Sequence, residues 1–239
     1  MMFEYPKINS LWKREGHDAT DDATPEKIAA RKKAKALGKK HCLLIPGEYS
    51  CEEFATVDRW TVTEKIDGMN IRIGLDRTDD RFYGVNLLEF GGRTANAQIP
   101  VTLLRELQIL FPFEVMDKHF EKAQRVFLFG EGYGPKIQSG GYYRSGPGFI
   151  LFDVWIDGWW LDREGVSEVA SKIGITSVPT IRGAIWTTQD IIEFVKMKPL
   201  SYEATVQHHE MEGVVARSYP QMLFRNGLQV MFKLKCSDF

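Results

Sequence analysis

From Trp60 to its end the chain is written in short β-prone runs: Trp60–Ile66, Asn70–Leu75, Val126–Glu131, Phe149–Ile156, Val214–Arg217 and Gln229–Lys235. Segments of helical period interrupt them at about Val101–Phe111, Glu164–Ile173 and Thr188–Lys198, and turn signals such as Asp157-Gly158 punctuate them. A doubly wound parallel sheet needs a crossover helix between successive strands, and that alternation is missing. The order predicts an α+β fold with mainly antiparallel sheets and flanking helices. No Pro/Ser/Gly-rich linker divides the 239 residues, so a single domain over 1–239 is expected, with 1–45 as a helical, basic N-terminal extension.

Charge is spread unevenly. The chain carries 31 Lys/Arg and 32 Asp/Glu, yet Pro25–His41 holds seven cations against Glu26 alone, a local +6 that leaves −7 elsewhere. Thr24-Pro25 reads as an N-cap followed by proline at the first helical position, and Gly38 reads as the stop. Lys27, Arg31 and Lys35 then share one helix face, as either a solvated stripe or a phosphate-contacting patch. Cys42, Cys51 and Cys236 are scattered without a C-x-x-C pair, which argues against a disulfide framework and a structural zinc site. No run approaches the roughly 18 apolar residues of a membrane span, and the start lacks a secretory pattern; an intracellular, cytoplasmic protein with no membrane association is expected.

Strand Trp60–Ile66 ends in Glu64-Lys65-Ile66-Asp67-Gly68-Met69-Asn70. Alternation sets Thr61, Thr63 and Lys65 on one face and Trp60, Val62 and Ile66 on the other. Taken alone, a lysine before Asp-Gly reads equally as an exposed residue at a turn. Near the far end, Phe232-Lys233-Leu234-Lys235 aims two ammonium groups at one side, where they repel unless an anion lies between or beside them. Glu131 and Glu212 stand at strand mouths, each beside glycine, as solvated strand ends or as ligands. Gly130–Arg144 is rich in glycine and aromatics, with Lys136 and Arg144 as its cations, and reads as a flexible connection or a substrate-facing loop. His208 and His209 read as loop residues, and Trp159 and Trp160 as packing residues.

In this order, Lys65-Ile66-Asp67-Gly68, Phe129-Gly130-Glu131, Phe152-Asp153-Val154, Glu212-Gly213-Val214-Val215 and Lys233-Leu234-Lys235 resemble the successive motifs of the covalent nucleotidyltransferase superfamily, the ATP-dependent ligases and mRNA capping enzymes. The resemblance spans roughly Trp60–Lys235. Glu64–Asn70 is most similar to the RNA ligases of the RNA-ligase-2-like and trypanosome-editing group, which place asparagine five residues beyond the nucleophile, where DNA ligases and capping enzymes usually have arginine. Arg225 is similar to an arginine that this group uses at the substrate end.

The resemblance implies an ATP-dependent RNA ligase that joins RNA 5′-phosphate and 3′-hydroxyl ends through a lysyl-AMP intermediate. Lys65 would be the nucleophile. Glu64, Asp67, Gly68, Asn70 and Arg93 would contribute to the ATP site. Glu131 would hold the ribose or support a metal, Phe152 would stack on adenine, Glu212 would help bind magnesium or manganese, and Lys233 and Lys235 would grip the α-phosphate. Arg225, Lys27, Arg31, Lys35, Lys136 and Arg144 would contact RNA. A free lysine has a pKa near 10.4, so only about one molecule in 10³ is nucleophilic at neutral pH, and neighbouring cations would help deprotonate Lys65. Lys235 lies four residues from the end of the sequence, so neither the OB nor the helical C-terminal domain of larger relatives is expected. A stand-alone, monomeric domain is expected, with a partner protein compensating. The competing readings are a DNA nick ligase, a guanylyltransferase or a catalytically idle RNA-end-binding module.

Overall fold

A computed structural model describes residues 4–16, 24–39, 41–78, 88–94, 96–181 and 185–239; Lys40 of the basic stretch lies outside them. The chain groups into two compact units that interleave in sequence. The first comprises Met1–Pro6, Ile66–Pro179 and Ser201–His209, and the second Lys7–Lys65, Thr180–Leu200 and Glu210–Phe239.

The second unit is built on a sheet in the order β1 (Asn9–Ser10), β11 (Met231–Lys235), β10 (Gly213–Ser218), β4 (Trp60–Lys65). β1 runs parallel to β11, and the other pairs are antiparallel. Alternation sends Trp60, Val62, Val214, Ala216, Phe232 and Leu234 to one face, where they bury against Ile191, Ile192 and Val195 of α5 (Thr188–Lys196). The Trp60 and Phe232 rings meet edge to face at 4.7 Å. The short strands β2 (Trp12–Arg14) and β3 (Leu44–Tyr49) pair beside them. α1 (Pro25–Ala36) starts as its sequence dictates, with Thr24 accepting from Lys27 N at 3.4 Å, and buries only Ala30 and Ala34.

The first unit holds an antiparallel sheet in the order β6 (Glu89–Gly92), β5 (Met69–Asp76), β7 (Arg125–Tyr133), β8 (Gly148–Ile156), β9 (Trp159–Trp160). Ile71, Ile73, Leu128, Leu151 and Val154 share a core with residues of α2 (Val101–Leu110), α3 (Phe113–His119) and α4 (Arg163–Ile173). α4 is bounded by an Asp162 side chain that accepts from Gly165 N and by Gly174 in the left-handed conformation, a common helix stop.

The segment expected to be a helical extension also carries β1, β2 and part of β3, strands too short to show a period of two. β6 escaped sequence reading for the same reason, and α3, with seven residues, spans only about two turns of helical period. Trp160 packs, but Trp159, expected to pack as well, is 73% exposed, because β9 is an edge strand and alternation turns it outward. No helix among the described residues is long and apolar enough to cross a membrane.

At the start of α5, Thr187 Oγ1 accepts from Asp190 N at 3.1 Å while Thr187 N donates to Asp190 Oδ2 at 3.1 Å, a reciprocal cap. Thr187→Ala should therefore cost about 1 kcal/mol, read as a lower urea midpoint at unchanged slope.

Candidate active site

In the second unit Gly213 is the Cα partner of both Lys65 and Lys235, so the strand-end lysines flank it in one cross-strand row. Glu212, one residue ahead, binds both. Lys65 Nζ donates to one carboxylate oxygen, and Lys235 Nζ lies 2.6 Å from the other. Glu212 thus offsets the charge of Lys65 and of Lys235, one of the two lysines paired on β11. Only glycine permits this row: a Cβ on Gly213 would lie 2.0 Å from the Leu234 carbonyl oxygen.

Lys233 lies one step further along the same face, opposite Val215, which also partners Thr63. Burial first, then the Lys65 and Lys235 ammonium groups, push the Lys233 pKa down from 10.5 to about 8, with Glu212 opposing. Glu64 does not join this group. Alternation turns its side chain to the opposite face of β4, where it is 1% exposed.

Beside Lys233 and Lys235 opens a cleft of about 330 Å³ whose lining includes Lys7, Arg14, Lys27 and His41 and, among the described residues, no carboxylate. Arg14 is neutralised by Asp238 at 2.9 Å. The remaining charge is positive, a chemistry suited to polyphosphate. Sequence reading placed Lys27 in a stripe with Arg31 and Lys35. All three lie on α1, Lys27 half-buried at the cleft and the other two exposed. Lys7 and His41 carried no sequence signal.

A phosphate beside Lys233 must raise its pKa again, so above about pH 8 binding takes up a proton. Affinity for inorganic pyrophosphate should therefore fall above pH 8, by up to about tenfold per unit. Calorimetry in two buffers of different ionisation enthalpy checks this; equal heats at pH 8.5 would contradict it.

In the first unit the turn after Ile66 is fixed by two backbone donors. Gly68 N donates to Glu131 Oε1 at 3.2 Å, and Asp67 N donates to the Tyr143 hydroxyl at 3.3 Å. A Cβ on Gly68 would lie 2.4 Å from the Gly132 carbonyl oxygen, so glycine lets the turn lie against β7. Asn70 stands opposite Glu131 across β5 and β7, and its Oδ1 is buried without a hydrogen bond, an acceptor suited to a ligand hydroxyl. Phe152 is half-buried on β8, with the Tyr5 ring edge-on to it at 5.1 Å. Tyr5 also donates a hydrogen bond to Asp153.

Arg93 is exposed in the bend after β6, and Arg225 is exposed in the excursion between β10 and β11. Lys136 is exposed, whereas Arg144 is half-buried with its guanidinium 5.6 Å from the Tyr133 ring centre. Glu131 and Glu212 belong to different units, and among the described residues no three His, Cys, Asp or Glu side chains cluster as a metal cage.

This architecture is that of the nucleotidyltransferase-type domains of RNA ligases. The chain belongs to the RNA ligase family, whose model matches residues 58–235. Solved forms of Naegleria gruberi RNA ligase share the fold. A mutant in the apo form superposes with a TM-score of 0.56 at 16% identity over 77% of this chain and 51% of that one. A mutant with ATP and Mn gives 0.53 at 18% identity over 74% and 49%, and one with AMP and Mn gives 0.54 at 18% over 77% and 51%. The chain spans about half the length of these proteins. No curated protein matches its sequence.

Proposed function

We propose that the chain is an ATP-dependent RNA ligase that captures AMP on Lys65 and passes it to an RNA 5′-phosphate. The observation that carries this reading is the strand-end Lys65 bound to Glu212, with Lys235 on the same carboxylate and Lys233 beside them. A core has no use for three ammonium groups around one carboxylate, whereas an anionic substrate does.

In the first step Lys65 Nζ, having lost its proton, attacks the α-phosphorus of ATP. A P–N bond forms, the bond to the bridging oxygen breaks, and pyrophosphate leaves. Glu212 already accepts from Nζ and is placed to hold the departing proton. Lys233 and Lys235 supply fixed positive charge where the phosphate becomes more negative. The cationic cleft with Lys7, Lys27 and His41 accommodates the outer phosphates and the leaving pyrophosphate. Next, an oxygen of the RNA 5′-phosphate attacks the AMP phosphorus, and Lys65 departs and recovers a proton. Last, a 3′-hydroxyl attacks the adenylated end and AMP leaves. Asn70 and Glu131 suit ribose hydroxyls and Phe152 suits the adenine face. A divalent ion fits by donor chemistry, since Glu212 offers a carboxylate and magnesium usually completes its shell with phosphate and water. When bound, it neutralises triphosphate charge.

The test supplies ATP, magnesium or manganese, and 5′-phosphorylated RNA or DNA strands of identical sequence. Adenylated RNA followed by a joined product is expected, with DNA a poorer substrate. Joining of DNA in preference to RNA, or transfer from GTP in preference to ATP, would overturn this assignment.

A further inference from the structure

The loop that follows β7 is more constrained than a connection needs to be. Lys136 and Gln138, neither of them glycine, sit at φ 71° and 47°, in the left-handed region that L side chains avoid. Gly134 and Gly140 pack so tightly that a Cβ on Gly140 would lie 2.3 Å from Gly134 N. The loop's inner side is anchored. Tyr143 is fully buried, and its carbonyl accepts from Thr205 N at 3.0 Å and Thr205 Oγ1 at 2.9 Å. Tyr133 donates to Glu203 Oε1 at 2.5 Å, and Arg144 covers the Tyr133 ring.

On this rigid base one aromatic residue is turned outward. Tyr142 stacks on His209 at 4.7 Å and 23°, and His209 is in turn held edge-on by Tyr143 at 5.3 Å. One face of Tyr142 is therefore covered, yet the residue remains 46% exposed. An exposed ring that is braced by stacking costs solvation and strain without adding to a core. It does, however, present a flat π-surface whose ordering entropy is already spent. Exposed Lys136 in the same loop adds positive charge.

We propose that Tyr142 is a stacking platform for an unpaired base of the nucleic-acid substrate, with Lys136 contacting the adjoining phosphate. This rests on the ligase reading and deepens it. Aromatic faces accept any base, so the contact gives affinity for single-stranded ends without sequence preference. The Asp67 N to Tyr143 hydrogen bond ties the same loop to the turn that follows the nucleophile.

The test is a 5′-phosphorylated single-stranded RNA with 2-aminopurine placed in turn at each of its terminal positions, titrated into the full chain. At one position stacking should quench the fluorescence on binding. Tyr142→Ala should abolish the quench and weaken RNA binding about tenfold, whereas Tyr142→Phe should keep both. Self-adenylation with ATP, measured in parallel, reports an intact nucleotide site. Unaltered RNA affinity and quench in Tyr142→Ala that still self-adenylates overturn the platform. Quenching at no position in the unaltered protein overturns it equally. Failure of the unaltered protein to self-adenylate would instead strike the ligase reading.

Discussion

Gly213→Val is expected to unfold the second unit or leave it without a working lysine row. The Cβ would lie 2.0 Å from the Leu234 carbonyl oxygen and 2.7 Å from Lys235 Cα, both backbone atoms of the neighbouring strand. No flexible side chain can move aside, and φ is 155°, at the edge of the region that favours glycine. Relief requires β10 and β11 to separate at the pair Gly213 and Lys235, which parts Glu212 from Lys235. The cost should be about 3 kcal/mol or more, with loss of nucleotide capture. Gly146→Ala is the control. A Cβ there meets nothing within 4 Å, so stability should change by no more than about 0.5 kcal/mol. Equal denaturation midpoints for the two variants would refute the steric argument.

Glu212→Ala should be nearly as severe for activity, by a different route. It leaves the Lys65 and Lys235 ammonium groups, 21% and 17% exposed, without their shared carboxylate. Removing one partner of a fully buried pair costs about 3–5 kcal/mol; with this residual exposure about 1–3 kcal/mol is expected. The rate of nucleotide capture should fall by about 10²–10³, since the carboxylate proposed to receive the Lys65 proton is lost. Glu212→Gln separates the two effects. It keeps the shape and most of the stability but removes the charge, so its rate should resemble that of Glu212→Ala. A Gln variant within about threefold of the parent would show that the charge of Glu212 is dispensable.

Much of this was legible in the sequence because local chemistry agrees with the final fold. Trp60–Lys65 and Met231–Lys235 alternate cleanly, so the side on which Lys65, Lys233 and Lys235 meet follows from period two alone. The paired lysines called for an anion without saying which, and that Glu212 bridges Lys65 and Lys235 follows only from the strand register. Thr24, Pro25 and Gly38 framed α1 correctly. Other features depend on contacts between residues distant in sequence. Lys27 seemed to belong with Arg31 and Lys35, because helical spacing says which residues share a face and not what the face meets. His41 joins Lys233 at the cleft only because β1 runs along β11 and β2 pairs with β3. The Tyr143 hydroxyl beside Asp67 N is likewise a product of how the loop folds back onto β7. Glu64 shows the reverse case: it was expected at the ATP site with Lys65, although the period of two that places Lys65 turns Glu64 to the opposite, buried face.

The central claim is that Lys65 forms a covalent bond to AMP. Purified protein is first treated with pyrophosphate to remove any adenylate carried from its source, then incubated with α-labelled ATP and magnesium or manganese, denatured and weighed as the intact chain. A single adenylyl group is predicted, surviving denaturation, mapping to the peptide that contains Lys65 and absent from Lys65→Ala. No label from ATP, or label of equal strength in Lys65→Ala, would contradict it.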